Sequence, residues 1–485
     1  MARTHFGLGI LAGLALFAPT AAAEGPRTLF GKPVNDPPPL TEEELAARAA
    51  ALPQALEERG LKLVGKQILP MWALSGETVR PPGIEATDAW DEPPHRQTIF
   101  LNFFGGPMKN GTNASEGESP CVLNNINYPA YTSSEQKALS IIQVFKDAAE
   151  PFGIRIAYEE APPKHLPYSQ VMMGGSPGII GLPQGVLGVA CNLDCGDQWW
   201  RDTTFAFTEE SNDVGVLGTT ALQEAAHAWG LDHIDGENNI MYPYATFGTK
   251  VWADTCTGYN PATGQIGCEY VHDLFCGENA GQQNDVAELN AYFGANSPDT
   301  VAPTVVMIEP ADQSEWNVGD TINVAVTVSD DHEGYGWRLM VPELDQSIPV
   351  YDGTTSWDLK PPMGAYTIRV EAIDHDRNIG FAEAKIYVGV EPTPPEPETS
   401  SSGSSGGSEE DSGDVPTTNG DEDSSGGAAD EDSNGDADSN ATAPVTTDPE
   451  VDGDDKGCSC RTQAAPPVWL LGLGLLGLLR RRRRG

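Results

Sequence analysis

The chain has 485 residues, with 28 Lys and Arg against 71 Asp and Glu, for a formal net charge of -43. That length accommodates two or three domains, and that balance excludes recognition of nucleic acid or of an anionic membrane surface by bulk charge. Much of the excess is local: between Glu391 and Gly457, 20 acidic residues stand against the single Lys456, which is the composition of a solvated tail.

Arg3, the apolar run from Phe6 to Phe17 and Ala21-Ala22-Ala23 form a secretory signal peptide over 1–23. Export predicts that Cys121, Cys191, Cys195, Cys256, Cys268 and Cys276 form disulfides. Residues 24–95 make a leader or pro-segment with one helical stretch, Leu40 to Gly60.

The first folded unit, 96–296, is read as mixed α/β. It opens with a strand over Gln97 to Phe104. A helix follows, started by Ser133 and Gln136 in capping-box spacing, with Ala138, Ile141, Ile142, Phe145 and Ala149 on one face. Further strands run from Ile154 to Tyr158 and from Thr203 to Thr208. Helices run from Asp213 to Gly230 and from Asn284 to Phe293, the last stopped by Gly294.

Across 301–390 the apolar period falls to two, as in Ile322, Val324, Val326 and Val328 and in Tyr366, Ile368, Val370 and Ala372. Short strands punctuated by turn residues imply an all-β, immunoglobulin-like or fibronectin-like sandwich. Residues 391–457 are too polar to offset the entropy of ordering and read as a disordered acidic linker. The closing 458–485 carries Cys458, Cys460, an apolar run from Val468 to Leu479 and Arg480 to Arg484. As a helix that run spans about 18 Å, against about 30 Å of hydrocarbon in a bilayer.

Chemistry concentrates in Gln223-Glu224-Ala225-Ala226-His227-Ala228-Trp229-Gly230-Leu231-Asp232-His233, followed by Asn239-Ile240-Met241-Tyr242-Pro243. Positions 223 and 227 share a helix face, with Glu224 beside it. Gly230 permits a turn that returns His233 towards the same point.

This arrangement resembles HExxHxxGxxH with a Met-turn, the mark of the metzincin zinc peptidases and, by its spacing, of their matrixin branch. The resemblance runs from about Gln97 to Gly294 and implies a metzincin-like fold whose zinc is held by His227, His233 and the residue at 223. Glu224 would be the general base, Met241 the floor below the metal, and Tyr242 part of the substrate pocket. The implied activity is that of a secreted metalloendopeptidase acting on extracellular protein or peptide.

The sequence departs from the pattern at Gln223, whose neutral amide is a poorer zinc donor than imidazole. Two readings follow: a weakened metal site, or a fold that has lost its metal and serves binding or adhesion. Among the other histidines, His95, His165 and His272 are candidates to replace the missing ligand, and His272, between Cys268 and Cys276, is the best placed. Asp374-His375-Asp376 reads as a turn or a weak calcium site.

The last 30 or so residues resemble the myxobacterial C-terminal sorting tag. That resemblance implies processing near Cys458 or Cys460 and attachment to the cell envelope.

Overall fold

The structure is a computed structural model and describes residues 27–75 and 93–392. The signal peptide, the acidic linker from residue 393 onward and the sorting tag with Cys458 and Cys460 lie outside the described residues. Among the described residues, no helix is long and apolar enough to cross a membrane.

The described residues are mixed α/β, with five α-helices among them and a majority of strands. The first sheet is ordered 188–190, 203–206, 169–173, 97–102, 154–157. Its first pair is antiparallel and the remaining pairs are parallel, so Gly188–Ala190 is an edge strand.

Helix α2, Glu135–Ala149, starts from Ser134, whose hydroxyl accepts from the Lys137 amide; the expected cap was one residue earlier. Its buried residues are the expected five, Ala138, Ile141, Ile142, Phe145 and Ala149. Helix α3, Val214–Ala228, is capped by Asp213 and buried on nearly every side. At the α2–α3 crossing, a Cβ on Gly218 would lie 2.6 Å from Val144 Cγ1, so only glycine allows this approach.

The leader is part of the core. Helix α1, Glu42–Glu57, has a complete capping box between Thr41 and Glu44. Its Leu52 and Leu56 pack with Leu61, Ile68, Met172, Val189 and Phe205. The hairpin of Leu61–Val64 and Gln67–Pro70 sets its second strand beside the edge strand Gly188–Ala190.

Helix α4, Glu269–Cys276, was not legible in the sequence, which suggested a loop there. Helix α5, Asp285–Phe293, starts one residue later than expected, because Asn284 serves as its cap, accepting from the Ala287 amide. All six expected cysteines pair, as Cys121–Cys191, Cys195–Cys268 and Cys256–Cys276.

From Thr304 to Val388 the regular structure is all strand apart from one short turn of helix, with loops between the strands. One sheet is ordered 304–309, 322–329, 356–359 and the other 314–316, 379–388, 364–373, 336–341, 346–349. Alternate residues of both meet in a common core that includes Ile322, Val324, Leu339, Ile368 and Ile386.

The two regions meet around His375, which is buried. Its Nε2–H donates to Gly334 O at 2.7 Å, so its Nδ1 accepts from the Thr98 hydroxyl, also at 2.7 Å. Beside it Arg155 grips Asp376 through two bonds of 2.7 and 2.8 Å. Burial holds His375 neutral, with its pKa pushed down to about 3. His375→Ala is expected to cost about 2–4 kcal/mol, through two lost buried hydrogen bonds and the space left behind. Urea unfolding checks this, and an unchanged midpoint would show that the ring does not hold the junction.

Candidate functional site

Helix α3 delivers Gln223, Glu224 and His227 to one wall of a cleft of about 530 Å³. At its end Gly230 has φ +107°, and a Cβ there would lie 2.7 Å from Asp194 O. A residue with a side chain is excluded twice, by conformation and by space. The turn brings His233 back, and the two Nε2 atoms of His227 and His233 stand 3.0 Å apart with their rings edge to face.

Each ring nitrogen of this pair has a partner. His227 Nδ1 lies 2.7 Å from Leu231 O, a pure acceptor, so it carries a proton. On the other side, the Gly264 amide donates to Gln67 Oε1 at 3.2 Å. That fixes Gln67 Nε2 towards His233 Nδ1, at 2.9 Å, which must then accept. His233 therefore carries its proton on Nε2 and donates it to His227 Nε2. The bonds form one directed chain, Gly264 to Gln67 to His233 to His227 to Leu231, with every donor matched to an acceptor. Burial lowers the pKa of His227 and pushes that of His233 well below the usual range, so both rings are neutral.

Glu224 is buried beneath the edge strand, and its carboxyl accepts from the Ala190 amide. Burial outweighs that bond and pushes its pKa up to about 8, so it is protonated at neutral pH. Gly188 is needed here, because a Cβ would come within 2.5 Å of Glu224 Cγ. Gln223 faces elsewhere: its Nε2 donates to Ile240 O at 3.0 Å and to Tyr242 O at 2.9 Å. It clamps the loop that carries Met241, which is fully buried in the main core. Tyr242 lines the cleft and packs edge to face with Tyr244, their centroids 5.6 Å apart.

The candidate substitute ligands are all placed away from this pair. His95 bonds Asp197 at 2.8 Å and stacks on Trp200. His165 faces Glu371 across the junction at 4.0 Å, with burial pushing its pKa down to about 4. His272 sits on α4 between Glu288, 2.8 Å from Nδ1, and Asp232, 3.5 Å from Nε2.

Of the three ligands that the resemblance implies, two imidazoles converge, with their Nε2 atoms 3.0 Å apart, while the third position holds an amide whose nitrogen is engaged with two carbonyls. Sequence reasoning missed Gln67, which comes from 166 residues away and carries no local motif. It also missed Gly188 and Tyr244, the latter recognisable only as a second tyrosine in the loop after Met241.

No family model matches the chain, and no curated protein does. Solved structures similar to it include the fibronectin(III)-like modules of Clostridium thermocellum CbhA. Identity there is 21%, over 19% of this chain and 48% of that one, with a TM-score of 0.17. The endo-beta-1,4-mannanase from Thermotoga petrophila is 14% identical over 46% of this chain and 48% of that one, at 0.16. OgpA from Akkermansia muciniphila is 12% identical over 64% of this chain and 98% of that one, at 0.17. This chain thus spans about half of the first two. At these scores the likeness carries no argument about mechanism.

The expectation of a zinc metalloendopeptidase, and of a matrixin-type protease, is corrected. Among the similar solved structures the activity that is named is that of a mannanase, not of a metallopeptidase.

The Asp232–His272–Glu288 cluster behaves oppositely to the cleft histidines. Burial alone would depress His272, but Glu288 and Asp232 outweigh it and raise its pKa to about 10. Its stabilising contribution is therefore complete below the unfolded value of about 6.5 and is lost as pH rises through about 10. Nitrogen-15 NMR at pH 8 should find His272 doubly protonated, with His227 and His233 neutral. His272→Gln should cost about 3–5 kcal/mol at pH 6, since it leaves two buried carboxyl groups without a cation. A neutral His272 at pH 8 would remove this account of the cluster.

Proposed function

We propose that the protein is an exported surface protein whose first region keeps a metzincin-like architecture but uses its cleft to bind, without cleaving, a hydroxyl-rich ligand of the saccharide class. The observation that carries this reading is the aromatic pair Tyr242 and Tyr244 in a cleft whose lining is rich in hydroxyl and amide side chains.

Glu224 is protonated and both histidines are neutral, while Lys66, bonded to Gly185 O, and Lys250, bonded to Glu237 O and Thr246 Oγ1, contact only neutral acceptors and keep their positive charges in the lining. Thr219, Thr220, Asn239 and Thr263 supply polar contacts in the lining. At the mouth, Tyr244 is 52% exposed beside Tyr242, an aromatic pair with one apolar face open to a ring of C–H groups.

An extended peptide would need the free edge of Gly188–Ala190, and the leader hairpin stands against that edge. The cleft therefore favours a ligand recognised by stacking and hydroxyl contacts over one recognised by strand addition.

The test is calorimetry and affinity electrophoresis of the secreted protein against soluble polysaccharides, with casein-derived peptides in parallel. Saccharide binding is expected, weakened about tenfold or more by Tyr244→Ala, with peptides intact after long incubation. Binding unaffected by Tyr244→Ala, or peptide cleavage by the parent, would overturn the reading.

A further inference from the structure

The cleft carries a charge that runs against the rest of the chain. Acidic residues outnumber basic ones by 71 to 28, yet the lining holds two lysines, Lys66 and Lys250, no arginine and no aspartate, and Glu224 as its one glutamate. Glu224 is buried and protonated, so the two lysines set the sign of the lining.

Each lysine is positioned without being neutralised. Lys66 stands in the turn of the leader hairpin, between Leu61–Val64 and Gln67–Pro70, and its Nζ donates to Gly185 O at 2.6 Å. Gly185 has φ +78°, and a Cβ there would lie 3.2 Å from that Nζ, so the glycine makes room for the ammonium. Lys250 comes from the loop after Met241 and donates to Glu237 O and Thr246 Oγ1. Tyr242 and Tyr244 belong to the same loop, so one segment supplies both the aromatic pair and a cation. The three acceptors are two backbone carbonyls and a hydroxyl. Among the described residues, no carboxylate oxygen lies within 4.0 Å of either ammonium. Glu210 accepts from the Gly185 amide at 2.9 Å and stands outside the lining. An ammonium has three donors, so two remain on Lys66 and one on Lys250 for a ligand.

Resting on the saccharide reading of the cleft, we propose that its ligand is an anionic saccharide, a chain of hydroxyl-rich rings carrying carboxylate or sulfate groups that Lys66 and Lys250 bind. A neutral chain leaves both ammoniums with neutral acceptors, whereas an anionic one adds a charge-assisted bond at each while its rings stack on the tyrosine pair. The acidic surface elsewhere does not cancel this gain. At physiological ionic strength the screening length is about 8 Å, so distant carboxylates are damped, while contact pairs inside a cleft are screened less. The compact charge of lysine accepts a carboxylate or a sulfate alike.

The experiment uses the full chain, calorimetry and affinity electrophoresis, and two matched pairs: oligogalacturonate with its fully methyl-esterified form, and dextran sulfate with dextran. At about 0.15 M salt the charged member of at least one pair is expected to bind about tenfold or more tightly than the neutral member, with the margin shrinking at about 0.5 M. The pair that shows the margin identifies the acidic group. Lys66→Gln/Lys250→Gln should reduce it to within about threefold, whereas Lys360→Gln/Lys385→Gln, which removes the same charge from exposed positions of the sandwich, should keep it. Equal affinity within both pairs, or a margin that survives Lys66→Gln/Lys250→Gln, overturns this inference and leaves the saccharide reading standing. Binding of none of the four overturns both. If the double variant does not fold, the parent's margin and its loss in salt decide alone.

Discussion

The hydrogen-bond chain through His233 and His227 sets what the cleft can be. With no cation between them, two neutral imidazoles whose Nε2 atoms approach to 3.0 Å are stable only if one donates and the other accepts; two lone pairs or two protons at that distance repel. The choice is made at the ends. Leu231 O can only accept, and the Gly264 amide can only donate. The direction of every bond between them follows. Gln67 is the link that turns this into a property of the whole molecule, because it belongs to the leader hairpin and not to the helix carrying the motif. The leader is thereby a structural part of the site, and its Leu69 lies in the same core as Met241.

The neighbouring packing serves the same arrangement. Glu224 can be buried and protonated only because the edge strand has a glycine at 188, and the strand's Ala190 amide gives the carboxyl one partner. Gln223 performs for the Met241 loop what a ligand would otherwise perform for a metal: it fixes the loop's height relative to the helix through two carbonyls. A residue chosen for zinc and a residue chosen for the loop are different solutions at the same helical position. The amide geometry here is that of the second.

Local signals in the sequence carried a long way. Helix α3 ends where Gly230 demands, Asp213 and Asn284 cap as their side chains allow, and the period-two pattern marked the sandwich core residue by residue. The strands 169–173 and 188–190 and helix α4 were not legible. The first, Ser169-Gln170-Val171-Met172-Met173, is buried on both faces of the sheet and so has no alternation to read. The second is three residues long, and α4 owes its place to two disulfides and to the His272 cluster. In the site, the helical spacing of 223, 224 and 227 and the return of His233 were readable. The partners that decide their protonation were not, because Gln67 and Gly264 reach them only through tertiary contacts.

Asp374-His375-Asp376 shows why a short motif underdetermines its chemistry. Its central ring is buried at the junction between Thr98 and Gly334, its last carboxylate pairs with Arg155, and its first joins Asp299 and Asp330. Three consecutive residues thus answer to three different partners. The turn at Arg377, with φ +72°, is what separates them, since it lets Asn378 come back onto Asp374 while Asp376 points across to the other region. Of the two expectations for this tripeptide, the turn is the one the backbone shows. The turn is the backbone event, and the convergence of Asp374 with two carboxylates from elsewhere is its consequence. A sequence pattern can announce the first, but only the packing of the connecting segment against the sandwich supplies Asp299, and with it the second.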